Sequence, residues 1–169
     1  MFLYYFSHIS RPMHDVMACL SGNPERWLPG DLAAACEDAA AMTAPSNRLS
    51  PGASGPIEVA VGPVGGRPGT AVCPIRVEAL TAGMPFAHLD ADLELSEIGA
   101  GRTQLTLRGS YQAPMAPFLD FDPGLLHRLA EAAMKSFVER VAARLSDEGE
   151  CGTAPQSGFP GTMTSGQGA

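Results

Sequence analysis

Three consecutive stretches decide the fold: LDADLEL (Leu89–Leu95), TQLTLRGSY (Thr103–Tyr111) and DPGLLHRLAEAAMKSFVERVAARL (Asp122–Leu145). The first two alternate, with Leu89, Ala91, Leu93 and Leu95, then Leu105, Leu107 and Tyr111, on one side, and Asp90, Asp92, Glu94, Thr106 and Arg108 on the other. A period of two is the mark of a half-buried strand. Glu97–Arg102, with two glycines, turns the chain between them. The third stretch opens with a capping Asp122 and with Pro123 at the first helical position, where no donor is needed. Leu126, Leu129, Ala130, Ala133, Met134, Phe137 and Val141 share one helical face, while Arg128, Glu131, Lys135 and Glu139 share the other. Glu131 and Lys135 stand at the favourable spacing of four. The helix should run for about six turns and end near Gly149. Burying its larger apolar side chains contributes about 1.5–3 kcal/mol each. A long amphipathic helix laid on an antiparallel sheet is the expected frame.

Working outward, Phe2–Ile9 is aromatic and β-branched and stops at Arg11-Pro12, a first strand. Met13–Leu20 reads as a short helix broken by Gly22-Asn23-Pro24, and ERWLPG follows as a turn carrying the sole tryptophan, Trp27. Asp31–Met42 is alanine-rich and helical, with Asp31 as its cap. Thr43–Pro56 is a flexible loop by composition. Ile57–Val61 and Ala71–Leu80 form a hairpin joined by GPVGGRPG, and Pro74 implies an edge strand or a bulge. Five strands are counted. Residues 149–169 lack hydrophobic periodicity and are expected to be a disordered tail, leaving one domain over residues 1–148.

At 169 residues, 45% apolar and 17% charged, the chain is long enough for one proper core. Its net charge of −7 opposes nucleic-acid binding, which draws on clustered Lys and Arg. Arg140 and Arg144 sit in the last helical turns, where cations complement the dipole. Cys19, Cys36, Cys73 and Cys151 form no CxxC pair, so no metal is expected and the thiols read as reduced in a cytoplasm. MFLYYF lacks a basic start and is too short for a signal core, and no run approaches a span of about 20 apolar residues. The expectation is a soluble cytoplasmic protein with no membrane span and no cofactor.

The order of elements, together with RPMHDVMACLSGNPERWLPG (Arg11–Gly30), LDADLELSEIGAGRTQLTLRGSYQAP (Leu89–Pro114) and FDPGLLHRLAEAAMKSFVERVAARL (Phe121–Leu145), resembles the START-like, or SRPBCC, superfamily. Within it the likeness is nearest to the polyketide cyclase/dehydrase-like bacterial branch. The resemblance implies an α+β helix-grip fold: an antiparallel sheet wrapped around a long C-terminal helix, with two short helices after the first strand. It covers Met1 to about Asp147 through patterns of residue type, without a catalytic signature. The superfamily usually has six or seven strands where five are counted here.

On that fold a hydrophobic small molecule would lie between sheet and last helix, against Val59, Ile75, Val77, Leu93, Leu105, Leu107 and Tyr111, with Met134 and Phe137 from the helix. A filled core would use the same residues. Tyr111 is the polar candidate inside, able to orient a carbonyl or hydroxyl, though a buried tyrosine commonly bonds backbone. His127 borders the helix's apolar face, and His88 has the parity of the strand's polar side; either can titrate near neutral pH. Asp90 and Asp92 fall on the solvent side and match no hard-metal loop. There is no GxSxG elbow or Cys/His nucleophile, and GPVGGRPG lacks the helix start of a phosphate loop. Three function classes remain: a carrier of a lipid, polyketide or aromatic metabolite; a cyclase/dehydrase-type enzyme using Tyr111 and a histidine; and a regulatory or interaction module with a filled core.

Overall fold

The computed structural model describes residues 1–43, 57–79, 86–113 and 123–147. The elements are β1 (Phe2–Ile9), α1 (Met13–Leu20), α2 (Pro24–Thr43), β2 (Ile57–Val61), β3 (Gly65–Arg67), β4 (Thr70–Ala79), β5 (His88–Gly99), β6 (Arg102–Gln112) and α3 (Pro123–Ser146). The strands form one antiparallel sheet in the order β1-β6-β5-β4-β2, with β3 also paired to β4. Helix α3 packs across the inner face beside β1, and α2 lies along α3 and against β2. This is the α+β helix-grip arrangement. The segment 44–56 and the residues beyond Asp147, expected to be loop and tail, lie outside the described residues.

Register aligns the inward side chains in transverse rows. Val59, Val77, Leu89 and Tyr111 form one; Val61, Ile75, Ala91, Gly109 and Leu3 the next; Cys73, Leu93, Leu107 and Tyr5 a third. At Gly109 the strands come so close that a Cβ would lie 2.5 Å from Cα and Cβ of Ala91. Only glycine permits that approach.

Several expectations are corrected. There are six strands, because Gly65–Arg67 pairs with β4 inside the stretch read as a connection. A three-residue strand rich in glycine has no alternation to detect. Of the two readings of Pro74, an edge strand or a bulge, only the edge is overturned: it lies in an inner strand where β2 gives way to β3, three residues (62–64) stand opposite two (73–74), and its carbonyl accepts the Gly62 N–H at 2.7 Å. Strand β5 runs on to Gly99, with a register shift between Glu97 and Gly99, so the turn is shorter than expected.

The second helix is not short: it starts at Pro24, taking in the ERWLPG segment read as a turn. Pro24 occupies the first turn, where its missing N–H costs nothing, and Pro29 forfeits one internal bond. Burial of Leu28, Leu32, Ala35, Cys36 and Ala39 along one face outweighs that loss. Asp31 is consequently mid-helix and does not cap. Its carboxylate accepts from Arg144 Nε at 2.8 Å and Nη2 at 3.0 Å, while the guanidinium lies 5.4 Å from the Trp27 ring centre. One turn earlier, Arg140 donates to Asp38 at 2.7 Å and 3.1 Å. The two arginines therefore bind α3 to α2. The C-terminal carbonyl of Leu145 accepts instead from Arg11, at 2.9 Å.

Cys36 and Cys73 are free and buried, but Cys19 is disulfide-bonded, which corrects the expectation of reduced thiols throughout. Pairing follows distance in space, which sequence spacing does not report. The cysteines thus give no argument for a cytoplasm.

Candidate functional site

The inner face of the sheet and the facing side of α3 bring the expected residues together. Ile75, Val77, Leu93, Leu105, Leu107, Met134 and Phe137 are all at most 3% exposed, as is Tyr111, whereas Val59 on β2 is half-buried. Helix α2 lies along α3 and adds its own apolar face to the same core. Val138, Val141, Ala142 and Leu145 are also buried on α3.

Polar chemistry concentrates at one end of this interface. Tyr111 is the last inward residue of β6, and its hydroxyl meets Nδ1 of His127 in the opening turns of α3. The two rings are near parallel, 10° apart, with centres at 6.2 Å. On the far side of the imidazole, Nε2 lies 3.4 Å from the Glu131 carboxylate, one helical turn on. A neutral imidazole satisfies both neighbours only if Nε2 carries the hydrogen and donates to Glu131 while Nδ1 accepts from the phenol. The Tyr111 oxygen also lies 2.9 Å from the Met1 sulfur. Burial, with the negative charge of Glu131 added, raises the Tyr111 pKa, and Tyr5 is raised by burial, then Glu131, then Tyr111. Both phenols are therefore protonated donors at neutral pH. Glu131, His127 and Tyr111 form a carboxylate–imidazole–phenol chain able to orient a polar group or pass a proton.

The sequence singled out Tyr111 and His127 separately, and the fold joins them. Glu131 and Tyr5 were missed. Glu131 was assigned to a solvent-facing pair with Lys135, but it turns to His127, and Lys135 reaches Glu139 at 3.9 Å. The i,i+4 spacing of His127 and Glu131 was the available signal.

His88 and Asp90 lie on the outer face, as their parity required. Asp90 accepts from Arg76 Nε at 2.8 Å and contacts His88 Nε2 at 2.7 Å; chiefly through Arg76, its carboxyl is held below the usual range. A cleft of about 680 Å³ crosses this face over Phe2, Ser110, Asp90 and Arg76, with Arg108 and Asp92 alongside. Another, of about 620 Å³, lies between α1 and the β3–β4 turn, lined by Met13, Met17, Val64 and Arg67. Among the described residues no group of three or more His, Cys, Asp or Glu is placed to hold a metal ion. No described helix is long and apolar enough to cross a membrane.

No family model and no curated protein matches the chain. Among solved structures, it is similar to the crystal structure of Ara h 8.0201, with 10% identity, 86% of this chain and 97% of that one covered, and a TM-score of 0.44. It is similar also to the Zhui aromatase/cyclase from Streptomyces sp. R1128, with 13% identity, coverage of 86% and 93%, and a TM-score of 0.42.

Proposed function

We propose that the chain binds a small, largely apolar molecule carrying one hydrogen-bonding group. The polar group would meet the Tyr111–His127 pair, and the apolar body would lie along Val59, Ile75, Val77, Leu93, Leu105 and Leu107 beneath Met134 and Phe137. The observation that carries this reading is the Tyr111–His127 hydrogen bond, set at the end of a largely apolar interface. Apolar sites with a few fixed polar groups are the usual composition of small-molecule pockets. Because most of these apolar residues are almost fully buried, a ligand has to displace side chains that now pack against one another. A lipid, polyketide or aromatic metabolite has the required character. For a substrate with an exchangeable proton, the Glu131–His127–Tyr111 chain supplies the acid–base route that a cyclase/dehydrase-type reaction needs.

Titration with the apolar fluorophore 8-anilinonaphthalene-1-sulfonate tests the reading. Saturable enhancement by folded protein, weakened by Tyr111→Phe, is expected; no enhancement below the unfolding transition counts against it.

The burial itself favours a second reading, an interaction module with a filled core. Phe137, 1% exposed, separates the two. In a filled core Phe137→Ala costs about 3–5 kcal/mol, and a loss well below that range means that the ring borders space a ligand can take.

A further inference from the structure

We infer that β1 is the contact strand of a symmetric dimer, in which two copies of the chain pair antiparallel, edge to edge, and interleave Phe2, Tyr4, Phe6 and His8 on the outer face. Strand β1 ends the sheet, and among the described residues nothing pairs with its other edge. The opposite edge differs, because β2 has α2 against it.

The register tells which backbone groups are open. Tyr111 N–H donates to Met1 C=O at 2.8 Å, and antiparallel pairs alternate between bonded and non-bonded positions. Leu3, Tyr5, Ser7 and Ile9 therefore bond β6, opposite Gly109, Leu107, Leu105 and Thr103. Phe2, Tyr4, Phe6 and His8 present their N–H and C=O groups to the open side.

These same residues carry the exposed side chains. Phe2 is 69% exposed, Tyr4 54% and Phe6 56%, and their rings line up, with Tyr4–Phe6 centres at 6.5 Å and Phe6–His8 at 5.6 Å. Phe2–Ile9 has no Lys, Arg, Asp, Glu or Pro, the residues that normally guard an exposed edge. An aromatic edge left open by the described residues is a template for another strand, and this one is complementary to itself. A two-fold axis at Tyr5 sets Tyr4 opposite Phe6 and Phe2 opposite His8 in both directions, giving about eight backbone hydrogen bonds. The ring surface buried is roughly 600 Å² across the pair. With the strand backbone, the contact falls at the small end of specific interfaces, ~1,200 Å².

Sedimentation velocity of the full chain across a concentration series, paired with amide hydrogen exchange, tests this. The expected result is a monomer–dimer equilibrium in which protection of the Tyr4 and Phe6 amides rises with dimer population. Tyr4→Lys, at an exposed position, should weaken the dimer at least tenfold while leaving the thermal transition of the monomer in place. A chain monomeric at every concentration, or a dimer whose Tyr4 and Phe6 amides exchange freely, overturns the inference. The exchange readout on the unaltered chain decides the matter even if the lysine variant fails to fold.

Discussion

The Tyr111 hydroxyl, at the end of β6, is hydrogen-bonded to Nδ1 of His127 on α3, with Glu131 on the other side of the ring. Residues on separate elements are thereby joined at one end of a largely apolar interface. In Tyr111→Phe, Nδ1 loses its donor while the packing of the ring is kept. The expected loss is about 0.5–1.5 kcal/mol of stability, read by urea denaturation, because His127 is half-exposed and water replaces the phenol. A loss of several kcal/mol would assign the pair a purely structural role.

Asp31 and Arg144 tie α2 to α3. Asp31 is 8% exposed and holds a two-pronged bond, whereas Arg144 retains contact with solvent. Asp31→Ala should cost about 1–3 kcal/mol, below the full penalty of a deeply buried pair because solvent screens the arginine left behind. The emission of Trp27, beneath the Arg144 guanidinium, should shift in the folded variant.

Acid sensitivity follows from the carboxylates held below the ordinary value of 3.8. Asp38 is lowered by its bond from Arg140, then that from Ser136, and Asp90 by Arg76, then His88. A folded-state pKa below the unfolded one contributes stability in full above about pH 4 and loses it as pH falls through the lowered value. Asp38→Asn should flatten part of the acid limb of stability against pH. An unchanged limb would exclude Asp38 as a contributor.

Gly109 marks where the sheet allows no side chain. A methyl there meets the Asp90 carbonyl oxygen and Ala91, so Gly109→Ala should cost about 3 kcal/mol, measured by thermal unfolding. A neutral outcome would mean that β5 and β6 separate readily at this row.

Much of the frame was legible because its periods are long and clean. Strand β6 and helix α3 carry enough alternating or helically spaced residues to define themselves. Where tertiary contact overrides local chemistry, the sequence misled. Gly30 and two prolines argued for a turn, yet burial of Leu28 and Leu32 and the Asp31–Arg144 bond hold a helix there. The site was half legible: Tyr111 and His127 stood out singly, but their meeting depends on where α3 crosses the sheet, which no local pattern encodes. Glu131 was hidden because a charged residue on a polar helix face looks solvated until its neighbour is known.

The most direct test is native mass spectrometry of the protein purified gently from its own host. The account predicts a discrete added mass, released on unfolding and diminished in Tyr111→Phe, belonging to a largely apolar compound with a hydrogen-bonding group. A repeatedly bare mass, together with no binding of apolar compounds to the folded chain, would contradict it.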